Sequence, residues 1–372
     1  MLKLFLLSLS ITNFQFFWVI KISHIFIFGL FFKYKAWKLK LPYAFIFLWI
    51  AIILALFSSL KNVGQNIFID ITGIVLCIFT YVTSMGIAKY NNNDFLVKLI
   101  YNSVFYISTI VLILYFIEHF LNFDLRDYIF LNRENSASYF GLKRNYGLAS
   151  EPGNFSYFYI AITGFVAWYF YKNQNIKTSI KAMLIVGSLI LTFSAGAIGI
   201  ALMSLSLTLF FYSFSNFYRA TGILISIIVV IFISTQLITY EYLEPIFNKL
   251  TLSSSHKSSF TRLEAWEFGL SKISILEPFG FGPNYIDDIF DHSLFNWFLT
   301  FSVSYGIFAG FFLVVFFIFE VVNILKWDSE FKYFLLFSMV CIFGILNIVG
   351  VYHSVVYWFV LGLTKGLTYK NA

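Results

Sequence analysis

Charge is scarce in this sequence. Asp, Glu, Lys and Arg together supply 12% of the 372 residues, where soluble domains carry about a quarter. With 60% hydrophobic residues and a mean hydropathy of +0.82, a water-soluble fold could not hide its apolar surface. Cysteine is nearly absent as well. Cys77 and Cys341 both fall inside apolar runs, where a thiol behaves as a small buried hydrophobe, so no disulfide is expected. No small-x-small cleavage site closely follows Lys3 and the run Leu4 to Leu9, so the amino terminus reads as a retained helix and not as a cleaved signal. Strict apolar-polar alternation is missing, which argues against a β-barrel. The net charge of +7 is scattered along the chain, so membrane orientation accounts for it and nucleic acid is not an expected partner.

What the chain does have is a succession of apolar runs of about 17 to 25 residues, the length that crosses a hydrocarbon core as a helix. They are separated by Lys, Asn, Asp or Gly clusters and lie at 4–32, 43–60, 66–88, 96–118, 154–171, 179–194, 197–214, 220–240, 294–319, 333–350 and 352–367. The run 4–32 is either one long tilted helix or two short ones broken near Lys21 and His24. The expectation is therefore an all-α, polytopic transmembrane bundle of about eleven or twelve spans over residues 1–372, with the lipid bilayer as its surroundings. The 50 Phe and 24 Tyr accompany abundant Ile, Lys and Asn. That mix looks like an AT-rich coding bias, so most rings are assigned to lipid-facing packing.

Short cytoplasmic loops carry the Lys and Arg excess of a membrane protein. Lys33, Lys35, Lys38 and Lys40 put 33–42 inside, and alternation from there places Lys89, Lys172, Lys177, Lys181, Arg219, Lys326, Lys332, Lys365 and Lys370 inside too. Two long segments then fall outside, at 119–153 and 241–293. Both are basic, through Arg126, Arg133, Lys143 and Arg144 in the first and Lys249, Lys257, Arg262 and Lys272 in the second. Long loops escape the orientation rule, so these charges are either incidental or serve to attract an anion at the outer face.

The first segment ends in Arg144-Asn145-Tyr146-Gly147-Leu148-Ala149-Ser150-Glu151-Pro152-Gly153. Ser150 is a plausible helix cap, which would set Glu151 in the first turn of the next helix, either as a capping carboxylate or as a functional one beside Arg144. A guanidinium suits phosphate oxygens because it is planar, always charged and bidentate. The second segment holds Arg262 to Leu270, in which Leu263, Trp266 and Leu270 share one face of an amphipathic helix. Gly280 and Gly282 follow with two prolines as a turn, then Asp291-His292-Ser293-Leu294-Phe295-Asn296. His292 and Asn296 would share a helix face at the start of a span. Histidine can accept a proton near neutral pH, although a lone one also serves as a structural hydrogen-bonding group. No paired ligand cluster accompanies Asp287, Asp288 and Asp291, so no metal is expected.

These features resemble the O-antigen polymerase and ligase superfamily, the Wzy-type membrane glycosyltransferases. Carrying the resemblance are Arg144-x-x-Gly147 before Glu151-Pro152, Leu191-Thr192-Phe193-Ser194-x-Gly196-Ala197, Arg262-x-x-x-Trp266 before Gly280-x-Gly282, and His292 to Asn296 leading to Tyr305-Gly306-Ile307. They keep the family's order over 140–310. The resemblance implies a GT-C-like enzyme without metal or cofactor, multi-pass in a bacterial inner membrane, that joins undecaprenyl-pyrophosphate-linked oligosaccharides at the periplasmic face. A chain-length regulator protein is a further implied partner. Ala195 stands where related ligases place an arginine, which favours polymerase over ligase. The catalytic candidates are Arg144, Arg262, His292 and Glu151, and the substrate-binding ones Tyr146, Trp266, Gly280, Gly282 and Asn296. A flippase or transporter is the rival class, disfavoured by the absence of an internal repeat and by nearly charge-free spans.

Overall fold

The computed structural model describes residues 1–10, 15–17, 20–61, 67–121, 144–145, 152–194, 196–214, 221, 225, 257–274, 277–282, 285–289, 294–348 and 354–370. Its helices are α1 (Leu2–Ser8), α2 (Ile22–Lys33), α3 (Ala44–Lys61), α4 (Ile67–Tyr90), α5 (Asn93–Phe120), α6 (Pro152–Lys172) and α7 (Ile176–Ile190). There follow α8 (Gly196–Phe214), α9 (Lys257–Lys272), α10 (Tyr285–Ile289), α11 (Trp297–Tyr305), α12 (Ile307–Lys326), α13 (Phe331–Leu346) and α14 (Val355–Lys370). Among the described residues, four stretches are long and apolar enough to cross a membrane: Ile71–Tyr90 in α4, then α5, α8 and α12. Shorter apolar helices occur at Ile22–Lys33, Ala44–Ser59 and Phe331–Leu346. The expected span 220–240 apart from residues 221 and 225, most of the segment 119–153, and residues 241–256, 275–276, 283–284 and 290–293 of the second segment lie outside the described residues.

The bundle is apolar on its outside and partly polar within. Phe57, Met183, Phe210 and Phe311 are exposed, while Thr80, Ser84, Ser108, Ser156, Ser188 and Ser338 are wholly buried. Lipid solvates such a surface where water would not. Some of these hydroxyls are satisfied inside their own helix: Ser84 Oγ donates to Thr80 O at 2.7 Å, and Thr80 Oγ1 to Leu76 O at 2.8 Å.

At the centre stands α14, buried at every residue from Val355 to Thr368. Its most extensive packing is against α4, and glycine makes the approach possible. A Cβ on Gly362 would lie 2.2 Å from Tyr81 O, and one on Gly366 would lie 2.6 Å from Ala88 Cβ. Small residues four apart let two membrane helices meet backbone to backbone. Between these glycines and α12 lies a buried polar cluster. Lys365 Nζ is 3.5 Å from Glu320 Oε1, with the two side chains 5% and 3% exposed, and Tyr81 Oη donates to Glu320 Oε1 at 3.3 Å. The charge-poor spans expected from sequence therefore need correcting. Glu320 falls inside α12 because that helix runs on to Lys326.

Two expected spans are interrupted. In 4–32, α1 and α2 are separated by an antiparallel pair, β1 (Gln15–Phe17) and β2 (Ile20–Lys21), with Gln15 opposite Lys21. Lys21 is extended and its N–H donates to His24 Nδ1 at 2.9 Å, so α2 starts at the break foreseen as one alternative. The run 294–319 is not a single helix. At Gly306 the backbone takes φ 97° and ψ 157°, a conformation open essentially to glycine alone. The nine-residue α11 then folds back along α12. Ring contacts of Trp297 and Phe298 with Phe317, both at 5.9 Å, and the approach of Ser302 to Gly310 define an antiparallel hairpin.

Removing one member of a buried ion pair strands the other charge, at a cost of about 3–5 kcal/mol. Lys365→Met alone and Glu320→Met alone are each expected to lower the thermal midpoint of the detergent-solubilised protein sharply. The double variant should recover most of the loss. Additive losses in the double variant would mean that the pair is not coupled.

Candidate functional site

The polar groups nearest the first long segment gather where α7 ends. Its last carbonyls lack intrahelical donors, and the Arg144–Asn145 segment supplies them. Asn145 N–H donates to Leu191 O at 2.8 Å, Asn145 Nδ2 to Ser188 O at 3.3 Å and Arg144 Nε to Thr192 O at 3.0 Å. A cation is favourable at a helix C-terminus, so Arg144 has an anchoring role on its own side of the bundle. Phe193 then takes a left-handed φ of 47°, and Ser194 starts α8 by accepting from Ala197 N at 3.4 Å. The break read from Leu191 to Gly196 is thus present, with Gly199 lying inside α8. A hydroxyl chain backs it: Ser108 Oγ to Tyr159 Oη at 2.8 Å and Tyr159 Oη to Ser188 Oγ at 3.1 Å. Sequence reasoning missed Asn145, Tyr159 and Ser188. Asn145 adjoins Arg144, but nothing in an apolar run distinguishes Tyr159 from a packing tyrosine.

The second unit is built on α11. Helix α9 lies against it through Ala265 and Gly269, both buried, and a Cβ on Gly269 would stand 2.9 Å from Leu294 Cδ1. The face of Leu263, Trp266 and Leu270, expected to rest on the membrane surface or on the bundle, is not the one that seats α9 on α11. Leu270 is 61% exposed, because small residues allow a closer approach than a leucine ridge. Arg262 sits with its guanidinium carbon 5.6 Å from the centre of the Phe295 ring. One turn on, the buried Trp266 Nε1 finds no hydrogen-bond acceptor among the described residues.

The Gly280-Phe281-Gly282 turn docks on the open end of α11. Phe281 N–H donates to Val303 O at 3.0 Å and Gly282 N–H to Ser304 O at 2.8 Å. Ser58 Oγ adds a second donor to Ser304 O at 2.8 Å. Gly280 (φ 67°) and Gly282 (φ 96°) hold positive φ, and a Cβ on Gly280 would lie 2.5 Å from Val303 O. Proposed from sequence as substrate-binding residues, both glycines have this backbone role in the structure. Asn296 is not inside a helix but caps α11, accepting from Leu299 N and donating from Nδ2 to Asn347 Oδ1, each at 3.0 Å. The chain is extended at Asn296, with φ −144° and ψ 112°. His292, Glu151, Tyr146 and Ser150 lie outside the described residues.

Three contacts bring these parts to one end of α13. On α8, Ile200 Cγ2 lies 2.8 Å from where a Cβ of Gly344 would be. One turn further, Asn347 holds Asn296. Helix α6 runs antiparallel to α13: Lys172 pairs with Glu330 at 3.8 Å, Trp168 stacks on Phe331 at 4.8 Å, and Gly164 N–H donates to Ser338 Oγ at 3.0 Å. At a rise of about 1.5 Å per residue, this sets Pro152, the first residue of α6, at the Asn347 end. No contact among the described residues joins Arg144 directly to Arg262. Among those residues, no group of three His, Cys, Asp or Glu side chains gathers as metal ligands.

The turn at Gly306 generates a test. Gly306→Ala would place a methyl 1.9 Å from Pro278 O at a φ of 97°, a strain of about 1–3 kcal/mol before the clash is counted. It should expose the 277–282 loop to protease and lower the thermal midpoint. Gly187→Ala, with nothing within 4 Å of the added Cβ, should leave both unchanged. Equal behaviour of the two variants would contradict the docking described above. No protein-family model matches the sequence, and no curated protein matches it.

Proposed function

We propose that this chain is a GT-C-like polymerase that extends undecaprenyl-pyrophosphate-linked glycans into O-antigen or capsular polysaccharide at the periplasmic face of a bacterial inner membrane. The observation that carries the reading is convergence. Helix α6, which starts beside Glu151, the Arg144-capped α7–α8 break and the half-helix α11 with its Arg262-bearing partner all reach the same end of α13. Non-helical backbone at membrane depth is tolerated only where protein buries it or a cavity receives it. Two breaks at one end give a lipid-anchored, anionic substrate a place to meet fixed cations.

In this reading the hydroxyl oxygen of an incoming lipid-linked repeat attacks the anomeric carbon of the growing chain. The bond from that carbon to the lipid diphosphate breaks, and the diphosphate leaves with the electron pair. Arg144 and Arg262 stabilise its developing charge, and His292 or Glu151 takes the hydroxyl proton. Trp266 or Tyr146 would stack on a sugar face.

A second reading is favoured by two features. The buried Glu320–Lys365 pair and the folded-back α11 are the kinds of element that transporters place in their bundles, so a lipid-linked oligosaccharide flippase is the rival. The glycans of a deletion strain separate the classes. Single repeat units retained on their acceptor indicate a polymerase, loss of attachment a ligase, and accumulation in the inner leaflet a flippase.

For the enzyme itself, Arg144→Ala and Arg262→Ala should each slow polymerisation by about two to three orders of magnitude. Lysine should rescue only in part, since it keeps the charge and loses the bidentate fork. Lys249→Ala and Lys257→Ala should be mild. Equal, small effects at all four positions, with protein levels unchanged, would remove the two arginines from the chemistry.

A further inference from the structure

The turn between α2 and α3 is more highly built than a topology signal requires. Lys33, Lys35, Lys38 and Lys40 fall within eight positions, and no Asp or Glu precedes Asp70 in the chain. All four lysines are exposed. The backbone that carries them is fixed by successive turns: Lys35 N–H donates to Phe32 O at 3.1 Å, Lys38 N–H to Lys35 O at 2.9 Å and Leu39 N–H to Ala36 O at 3.2 Å. Lys35 itself stands at a left-handed φ of 47°. Ala36, 1% exposed, and Leu39 seat the turn on α4, where a Cβ on Gly86 would meet Ala36 Cβ at 3.5 Å and Leu39 Cδ1 at 3.6 Å.

Aromatic rings complete the surface. Trp37 leans on Phe31 and Phe32 at 5.7 Å each yet remains 52% exposed, and Tyr43 is 91% exposed. Lys33 Nζ lies over the Tyr34 ring at 5.5 Å, and Lys89 over Tyr90 at 5.9 Å, both at this end of the bundle. Contacts of Phe47 with Phe319, and of Ser58 with Ser304, place Ala44 and the turn before it at the end opposite Asn347. The acids at this end include Asp94, in the first turn of α5 and followed by Lys98, and Asp328 and Glu330 between α12 and α13, of which Glu330 pairs with Lys172 at 3.8 Å.

Orienting a helix in the membrane needs only the charge of a nearby loop. A flexible one would serve. Here the ammonium groups are held on a rigid turn beside a tryptophan and a tyrosine, ring types that favour headgroup depth. From this arrangement we infer that residues 33–43 form a binding surface for the phosphate headgroups of anionic phospholipids in the adjoining leaflet. The surface is independent of the chemistry at the other end of the bundle.

Native mass spectrometry of the full chain, released from nanodiscs of phosphatidylcholine mixed with phosphatidylglycerol, tests it. The wild type should retain phosphatidylglycerol preferentially, and the K35Q/K38Q/K40Q variant should lose at least about tenfold of that preference, since each lysine near a charged surface contributes a several-fold bias. K172Q/K177Q/K181Q, which neutralises another basic run, should keep it. Preference retained in the first triple, or lost equally in both, overturns the site in favour of a diffuse field. Wild-type preference abolished by millimolar inorganic phosphate would assign the surface to free anions and overturn the lipid assignment. Cysteine labelling of both triples confirms unchanged orientation, so that loss of binding cannot be a misinserted protein.

Discussion

Lys365 sits in a helix that touches neither water nor lipid along most of its length, and the bundle is arranged so that this charge is met. Glu320 reaches it from α12 and Tyr81 supports the carboxylate from α4. Taking two ions out of water costs several kcal/mol each, which good geometry and extra hydrogen bonds only just repay. The pair is thus a poor source of stability and a good source of register. With Lys365 fixed, Gly362 and Gly366 fall opposite Tyr81, Met85 and Ala88, and α14 can approach α4 closely only in that setting.

From that centre the other contacts follow in layers. Helix α12 carries Glu320 and packs on α3. Its first half also receives α11, so the hairpin at Gly306 is tied to the same core: Trp297 meets Phe317 at 5.9 Å and Trp358 of α14 at 6.2 Å. Helix α13 extends the bundle to α6 through Gly164 and Ser338, and its far end gathers the three polar elements of the candidate site. The bundle therefore has two unlike ends. One carries broken helices and arginines, and the other carries fixed lysines among aromatic rings.

Under the proposed reading, Arg144 would combine a structural task with a chemical one. Its Nε satisfies a carbonyl at the end of α7, which orients the guanidinium whatever the rest of the group contacts. A preorganised cation is what charge stabilisation in a water-poor site requires. Gly280 and Gly282 belong to a motif that suggests ligand contact in the sequence; in the structure their positive φ shapes the turn whose Phe281 and Gly282 N–H groups donate to the open end of α11.

Helix formation and the apolar exterior were legible in the sequence, because each depends on the composition of a single window of chain. The break after Leu191 was legible for the same reason, as was the alternative of a broken first run at Lys21. What only the tertiary structure decided involves partners far apart along the chain. Ser58 and Ser304 are 246 positions apart, and Tyr81 and Glu320 are 239. Hydropathy read 294–319 as one span because both arms of the hairpin are apolar, and only the contacts of Phe317 with Trp297 and Phe298 reveal the reversal. It grouped Leu263, Trp266 and Leu270 on one face of α9 and left membrane surface or bundle open as its support, whereas Ala265 and Gly269 make the contact with α11. Local composition fixes which segments leave water, but which of them meet is set by close-packed shape and by charges that must find one another.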